Sequence, residues 1–258
     1  MSGPLFEVRG LTKRFGGVLA IDALDLAIPR QEIHALIGPN GAGKTTFINL
    51  VTGVYRPDAG DIRFEDKSIT GLRASRVTAA GIARTFQHPA LFEGLSVFDN
   101  VMLAAYAHTP RRLLRDVMAS ASSRRTEHEH QQSARESLKF VGLAAKAATA
   151  VTSLTPAERR LLEMARAMVT RPRLLLLDEP FAGMTLEEAR GLVMRVRELR
   201  QAGVTLLVID HNMRVLMKLA DRVTVLSFGR KIAEGAPLAV QASDAVVNAY
   251  LGRPRAAA

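Results

Sequence analysis

One segment of the chain, residues 38–45 with the sequence GPNGAGKT, constrains the fold more than any other because it fits the pattern G-x-x-x-x-G-K-[ST]. It follows the apolar stretch IHALI and precedes a segment of helical character. Glycines let the backbone turn its N–H groups inward around a phosphate, and the N-terminus of the following helix adds a partial positive charge. The pattern therefore predicts a strand, a phosphate-binding loop and a helix, in that order.

The side chains of this loop suit a nucleoside triphosphate that carries Mg²⁺. Lys44 is expected to reach the β- and γ-phosphates, and the hydroxyl of Thr45 can ligate Mg²⁺. A glycine-rich turn could match the pattern by chance, but the strand before it and the helix after it argue against that interpretation. The residues predicted to hold the nucleotide are Gly38, Pro39, Asn40, Gly41, Ala42, Gly43, Lys44, Thr45 and Thr46.

Two carboxylates follow a second apolar stretch, in the sequence LLLLDEP. Four consecutive leucines, 174–177, predict a strand that is buried on both faces. Ligands bind at the C-terminal ends of such strands in α/β sheets. We therefore expect Asp178 to contribute to the Mg²⁺ site and Glu179 to act as the general base for an attacking water. The alternative, two carboxylates in an exposed turn, does not explain the buried strand before them.

The order of elements indicates an α/β fold. Strand-like segments alternate with helical ones at both ends of the chain, whereas the middle, from about Ser96 to Leu143, is helical in composition with almost no Gly or Pro. Alternating strands and helices predict a mainly parallel sheet covered on both faces. The helical middle is expected to be inserted into this core as a subdomain.

Composition excludes several classes of protein. With 48% hydrophobic and 23% charged residues the chain is globular, and no uncharged run approaches the roughly 20 apolar residues of a membrane-spanning helix. The start, MSGPLFEVRG, lacks the features of a secretory signal. With no cysteine, disulfide scaffolds, Cys-ligated zinc and thiol catalysis are excluded, and a cytosolic location is expected.

The excess of positive charge does not point to nucleic acid. Lys and Arg total 35 against 25 Asp and Glu, which leaves a net charge of +10. No RNA- or DNA-binding signature accompanies the arginines, and only 5% of residues are aromatic, so few bases could be stacked. A solvated basic surface is expected and a nucleic-acid partner is not.

At this point the residues resemble a known family, the nucleotide-binding subunits of ABC transporters, over nearly the whole chain. The resemblance implies that Phe15, in LTKRFGG, stacks on adenine, and that Gln87, in GIARTFQHPALF, senses Mg²⁺ and the γ-phosphate. It also implies that His211, in VTLLVIDHNM, contacts the γ-phosphate. ATP and Mg²⁺ are the implied cofactors. The implied catalytic residues are Glu179, His211 and Gln87, and the implied Mg²⁺ residues are Thr45, Gln87 and Asp178.

The resemblance also implies a P-loop NTPase fold of the ABC ATPase type, with a mainly parallel sheet core, a small antiparallel β region and an inserted helical subdomain. We expect a single domain over residues 1–258. Its core would comprise about 1–88 and 159–240, its helical subdomain about 89–158, and its C-terminal tail 241–258.

Two motifs depart from the family pattern. The signature, usually LSGGQ, aligns with residues 154–158, LTPAE, and in the family it caps the nucleotide held by the opposing subunit. Thr155, Ala157 and Glu158 are therefore expected to act in trans, and the sequence also reads as a helix-capping box with proline at the first helical position. The second departure is Thr185, where the family usually has Asp or Asn; communication between the two sites is expected to be weaker.

The transport system is indicated by the residues of several motifs. The segments IARTFQHPALF, ARAMVTRPRLLLLDEPFAGM and NAYLG are most similar to importer subunits for branched-chain amino acids and related amides. The lipopolysaccharide-export ATPases, which share DEPFAG, DHN and a terminal YLG, are the alternative. Soluble ABC ATPases of translation and DNA repair are a third class, but they usually carry two cassettes or a long coiled coil, and this chain has one cassette without sustained heptads.

The resemblance implies three kinds of partner: a second ABC ATPase subunit, identical or different, integral membrane permease subunits, and, for an importer, a solute-binding protein. It places the chain in the cytoplasm, peripherally on the inner face of the cell membrane. Segment 88–101 would form the groove for a cytoplasmic helix of the permease, with Phe92 or Phe98 in contact with it. A buried-core role is the alternative for Phe98.

Overall fold

The structure is a computed structural model that describes residues 3–85, 90–107 and 121–251. Within these ranges the strands form one sheet of four strands and one of six. The strands are β1 (Phe6–Phe15), β2 (Val18–Ile28), β3 (Ile33–Ile37), β4 (Ala59–Phe64), β5 (Lys67–Ser68), β6 (Ile82–Arg84), β7 (Leu174–Asp178), β8 (Thr205–Ile209), β9 (Arg222–Ser227) and β10 (Arg230–Gly235). The α-helices are α1 (Lys44–Val51), α2 (Ala74–Ala79), α3 (Val97–Ala107), α4 (Ala121–Val141), α5 (Pro156–Met168), α6 (Leu186–Gln201), α7 (Met213–Leu219), α8 (Pro237–Gln241) and α9 (Asp244–Leu251).

The six-stranded sheet has the order β10-β9-β3-β8-β7-β6, and all neighbouring pairs except β9 and β10 are parallel. Every residue of β3, β7 and β8 is buried. Successive side chains of a strand point to opposite faces. Accordingly Leu174 and Leu176 pack into one hydrophobic core, and Leu175 and Leu177 into the other. The predicted mainly parallel sheet, covered on both faces, is confirmed.

The four-stranded sheet, of order β2-β1-β4-β5, is antiparallel throughout. Phe6 and Phe64, from β1 and β4, are buried in the same core as Phe47 of α1 and Leu176 of β7. Helix α1 therefore lies between the two sheets, which fixes the direction of the loop that precedes it.

Helices α3, α4 and α5 pack on one another and form the helical region in the middle of the chain. Val101, Leu138 and Leu162, one from each helix, are buried in the core on the far side of the six-stranded sheet. Helix α5 also contacts β6, so it joins this region to the sheet. In the described part of the chain, no helix combines the length and the apolar character that spanning a bilayer requires.

Candidate nucleotide site

The loop between β3 and α1 is held closely by its neighbours. Gly43 has φ 102°, and a Cβ atom there would lie 2.5 Å from the Ala20 carbonyl oxygen, so the loop needs a glycine at this position. A Cβ on Gly38 would lie 2.3 Å from the Leu226 carbonyl oxygen. Gly43 is also the N-cap of α1, without a side-chain cap. The first N–H groups of the helix are therefore left for an anion such as phosphate.

The side chain of Lys44 curls back over this loop. Its Nζ donates to the Gly38 carbonyl at 2.7 Å and to the Pro39 carbonyl at 3.0 Å. Burial lowers the pKa of the Lys44 ammonium, while the nearby charges of Glu179 and Asp178 act in the opposite direction. The lysine therefore lies between the loop and the two carboxylates, where a phosphate would bring a compensating negative charge.

Asp178 is the last residue of β7 and is 6% exposed. Its Oδ2 lies 2.8 Å from Arg84 Nη2, and its backbone N–H donates to Thr85 Oγ1 at 3.3 Å. Burial raises the pKa of Asp178, and the hydrogen bond and charge of Arg84 oppose this rise. The strand end thus presents a fixed carboxylate to the loop.

The residues at this edge fit Mg²⁺ through the chemistry of their donors. Mg²⁺ prefers oxygen ligands and is usually bound by one or two carboxylates together with phosphates and waters. Asp178 offers a carboxylate, and the Thr45 hydroxyl lies on the exposed side of the first turn of α1. Gln87, the third residue predicted for the metal, lies outside the described residues.

Glu179 stands at a strained turn directly after β7. Its φ is 48°, a left-handed conformation that a residue with a Cβ adopts only when its surroundings impose it. Its N–H donates to the Ile209 carbonyl at 2.7 Å, and its own carbonyl accepts from Arg160 Nη1 at 3.0 Å. These two bonds fix the backbone, and the carboxylate side chain remains 26% exposed.

His211 follows β8 and brings its ring to the same edge. Nδ1 lies 4.0 Å from Glu179 Oε1 and 3.8 Å from Asp210 Oδ1, and the side chain is 70% exposed. The structure thus brings the side chains of His211 and Glu179 close together, and their catalytic roles stay predictions. Asp210 is a residue that the sequence reasoning missed, although its position after a buried strand, like that of Asp178, was a usable signal.

Phe15, at the end of β1, is 42% exposed. The ring of Tyr55 packs edge-on against it with 5.2 Å between centroids, and Lys13 Nζ lies 5.4 Å from its centroid. An exposed aromatic ring held from the side is suited to stacking on a base. The adenine role of Phe15 stays a prediction, and the sequence reasoning missed that Tyr55 packs against it.

The capping box predicted at Thr155 is present at the start of α5. Glu158 N–H donates to Thr155 Oγ1 at 3.2 Å, and Thr155 N–H donates to Glu158 Oε2 at 3.0 Å. Glu158 is also held by Lys146, 2.5 Å from Oε1, and this hydrogen bond lowers the pKa of the Glu158 carboxyl. Thr155 is exposed and Ala157 is buried. Of the three residues expected to act in trans, Thr155 therefore has the most accessible side chain.

Thr185 has the same local role at the start of α6. Its Oγ1 accepts from Glu188 N–H at 3.3 Å, and its N–H donates to Glu188 Oε2 at 2.8 Å. A threonine at this position thus caps a helix as Asp or Asn would. Its predicted effect on communication between sites stays a prediction.

Comparison with known proteins matches residues 21–182 to the ABC transporter family, a range that contains the phosphate loop, Asp178 and Glu179. The chain belongs to this family. It is thus an ATP-binding, ATP-hydrolysing transport subunit, which confirms the family and the ATPase function predicted from the sequence. Residues 230–256 match a second description, branched-chain amino acid ATP-binding cassette transporter.

Individual relatives of this ABC ATPase agree. The chain is 38% identical to the high-affinity branched-chain amino acid transport ATP-binding protein BraF of Pseudomonas aeruginosa, over 98% of this chain and 99% of BraF. It is 39% identical to the high-affinity branched-chain amino acid transport ATP-binding protein LivG of Escherichia coli K12, over 98% of this chain and 99% of LivG. The solved ADP conformation of MJ1267, an ATP-binding cassette of an ABC transporter, has a TM-score of 0.84 at 28% identity and covers 96% of this chain and 99% of that chain. The predicted ABC ATPase fold is confirmed.

Proposed function

We propose that this ABC ATPase drives the import of branched-chain amino acids or related amides, as one of two ATPase subunits beneath a membrane permease. The observation that carries the ATPase site is the convergence of Lys44, Glu179 and His211 at one edge of the six-stranded sheet. The substrate class is supported by BraF and LivG, which are branched-chain amino acid transport proteins, and by the match of residues 230–256.

In the proposed hydrolysis several residues of the chain act at the γ-phosphate, each with a separate role. The N–H groups of the loop and Lys44 hold the phosphates and neutralise negative charge that develops on them. Glu179 accepts a proton from the attacking water, and His211, whose Nδ1 lies 4.0 Å from the Glu179 carboxylate, helps to place that water. Mg²⁺, held by Thr45, Asp178 and Gln87, would supply further charge neutralisation when bound. Phe15 would stack on the adenine.

A second ATPase subunit is proposed to complete the site. His211 is 70% exposed and Thr45 is also exposed, so one side of the site faces solvent in the single chain. Thr155 and the N-terminus of α5 are exposed as well, with a capping box but no glycines. Two chains arranged head to tail would place the Thr155 segment of one over the phosphate loop of the other. This arrangement is possible both for two identical chains and for two different ATPase subunits.

The permease is proposed to dock in a groove between the sheet core and the helical region. The groove is lined by Val54 after α1, by α2, by Ala90 and by Arg166 of α5. Arg166 Nη1 donates to the Ala90 carbonyl at 2.6 Å, and its guanidinium lies 5.7 Å from the Phe92 ring centroid. Phe92 is 52% exposed beside the groove, an apolar surface suited to a short helix of the permease. This contact would hold the subunit on the inner face of the cell membrane.

The proposal is tested by transport. The subunit, co-purified with its permease subunits, is reconstituted in liposomes with ATP inside and the solute-binding protein with labelled leucine outside. ATP-dependent accumulation of leucine, absent with the Glu179→Gln variant, is the expected result. Hydrolysis of ATP without uptake of leucine, isoleucine or valine would overturn the substrate class, and ATP-dependent extraction of lipopolysaccharide from the same liposomes would favour the export alternative.

A further inference from the structure

Arg84 joins two parts of the nucleotide site that lie far apart in the sequence. Its Nη2 donates to Asp178 Oδ2 at 2.8 Å, and its Nη1 donates to Asn49 Oδ1 at 2.7 Å. The Arg84 and Asp178 side chains are only 10% and 8% exposed. One guanidinium thus spans from α1, the helix after the phosphate loop, to the end of β7.

The strand pairing explains why Arg84 reaches Asp178. Strands β6 and β7 are parallel neighbours, with Arg84 opposite Leu176. Thr85 continues this attachment, because its N–H donates to the Leu176 carbonyl at 2.9 Å and its Oγ1 accepts from Asp178 N–H at 3.3 Å. The backbone and the side chain of Asp178 are therefore both held by consecutive residues at the end of β6.

Through Asn49, the other contact of Arg84 connects to the aromatic residue proposed to stack on the adenine, Phe15. The backbone carbonyl of Asn49 accepts hydrogen bonds from the N–H groups of Val54 and Tyr55, at 2.9 Å and 3.0 Å. The Tyr55 ring packs on Phe15. A continuous series of contacts thus runs from Phe15, through Tyr55, Asn49 and Arg84, to Asp178.

We propose that Arg84 is a positioning residue that sets the Asp178 carboxylate for the Mg²⁺ that accompanies ATP, an inference that rests on the function proposed for Asp178. Arg84 engages Oδ2, which leaves the other carboxylate oxygen for the metal or one of its waters. The same guanidinium fixes the carboxylate relative to α1, whose first turn carries Thr45. The side chains of Asp178 and Thr45, which are proposed to bind the metal, are thereby kept in a fixed position relative to each other.

The planar fork of arginine is what this role requires. Its two terminal nitrogens make two contacts with different elements at once, whereas the ammonium of lysine is a single point charge on a flexible stem. Arg84→Lys therefore keeps the positive charge beside Asp178 and removes the bridge to Asn49. Loss of a partner that orients a metal ligand typically lowers metal affinity about 10 to 100-fold.

The experiment measures metal affinity directly, with Mn²⁺ as a paramagnetic probe for the Mg²⁺ site. Mn²⁺ is titrated into the isolated protein with a non-hydrolysable ATP analogue, and bound metal is followed by electron paramagnetic resonance. For Arg84→Lys we expect the Mn²⁺ affinity to fall about tenfold or more, with the affinity for the analogue in EDTA unchanged. Asn49→Ala, which removes the other anchor of the fork, should shift the Mn²⁺ affinity in the same direction.

Arg173→Lys is the matched control. Arg173 stands just before β7, at the opposite end of the strand from Asp178, and also uses two nitrogens, toward Glu65 and toward the Ala80 carbonyl. This variant loses a two-armed arginine next to the strand that carries Asp178, so a general structural effect of such a loss would appear in its melting temperature. We expect its Mn²⁺ affinity to equal that of the unaltered protein.

Asp178→Asn separates failure of this inference from failure of the proposed function. If Asp178→Asn weakens Mn²⁺ binding while Arg84→Lys and Asn49→Ala do not, Asp178 keeps its role and the positioning role of Arg84 is overturned. If Asp178→Asn leaves Mn²⁺ binding unchanged, the metal role of Asp178 itself is wrong. Tighter Mn²⁺ binding in Arg84→Lys would also overturn the inference, because the guanidinium would then compete with the metal. Should Arg84→Lys fail to fold, Asn49→Ala carries the same test.

Discussion

Asp210 Oδ2 accepts a hydrogen bond from the backbone N–H of Phe181 at 2.9 Å, and this bond fastens the turn after Glu179 to the strand end that precedes His211. The other oxygen, Oδ1, accepts from Asn212 N–H at 2.8 Å. Asp210 is 2% exposed, and both oxygens of its carboxylate are used in these hydrogen bonds to the turns at Phe181 and Asn212. The 4.0 Å separation of Glu179 and His211 therefore depends on a residue behind the site.

Asp210→Asn is expected to slow hydrolysis without weakening ATP binding. The amide has one accepting oxygen where the carboxylate has two, and its NH₂ group would face one of the two backbone donors. A lost hydrogen bond to a charged group costs about 1.5–3 kcal/mol, so we expect the melting temperature to fall and kcat to fall about tenfold or more. Steady-state ATPase assays and binding of a fluorescent ATP analogue separate the two effects. A normal kcat in a destabilised variant would assign Asp210 to stability alone.

Lys44→Ala is expected to abolish ATP binding or turnover, because the phosphate loop loses the cation that lies over its Gly38 and Pro39 carbonyls. Equilibrium binding of a fluorescent ATP analogue measures this. Lys231→Ala is the control. Lys231 is paired with Glu234 on the edge strand β10, and the protein with this substitution should bind ATP normally. Hydrolysis near the unaltered rate in Lys44→Ala would contradict the assignment of the loop.

Glu179→Gln is expected to leave ATP binding intact and to reduce hydrolysis about 10² to 10⁴-fold, the usual contribution of a general base. The amide is close in size to the carboxylate, so the strained turn at φ 48° should persist. Gel filtration with ATP should then show a trapped dimer. Glu187→Gln, at an exposed position in the first turn of α6, provides the control. A variant that stays monomeric with ATP would argue against the two-subunit site.

The sequence predicted the features that depend on neighbouring residues. The phosphate loop, the buried leucines of β7 and the capping box of Thr155 all follow from patterns within a few positions, and the structure contains each of them. Local patterns of this kind indicate the type of element and where it begins from residues within the segment itself.

The supporting residues could not be predicted in the same way. Arg84 and Asp178 are 94 positions apart, and Asp210 and Phe181 are 29 apart. Their pairing follows from the strand order, in which β6, β7 and β8 become neighbours only when the sheet is assembled. Nothing in the residues around Arg84 indicates that its side chain will pair with Asp178.

Phe92→Asp is expected to weaken assembly with the permease and to spare ATP binding. Phe92 is 52% exposed beside the groove, so a charged side chain there should not disturb the core. Phe98, the other residue predicted for this contact, is partly buried against the core, with Arg135 5.7 Å from its ring centroid, and its replacement by Asp should also lower stability. Co-purification with the permease measures assembly. Leu238→Asp, 81% exposed on α8, is the control, and normal assembly of Phe92→Asp would place the permease contact elsewhere.

Thr155→Val tests the altered signature segment. The substitution removes the hydroxyl that caps α5, which costs about 1 kcal/mol of stability. If the hydroxyl also contacts the γ-phosphate held by a second subunit, losing that bond to a charged group costs about 1.5–3 kcal/mol, a roughly 10 to 150-fold loss of hydrolysis. Nucleotide binding by the isolated monomer should not change, because a monomer holds ATP with its own phosphate loop and Thr155 is proposed to act only on the nucleotide of the other subunit.

Thr185→Val supplies the comparison, since Thr185 caps α6 with the same capping box. The two variants should lose similar stability, and a much larger loss of hydrolysis in Thr155→Val would then reflect the contact in trans. The double variant Pro156→Gly with Ala157→Gly should weaken the start of α5 yet raise turnover, if the missing glycines limit the phosphate contact. Unchanged hydrolysis in Thr155→Val, together with a lowered melting temperature, would leave Thr155 as a helix cap alone, and the site would then have to close without its hydroxyl.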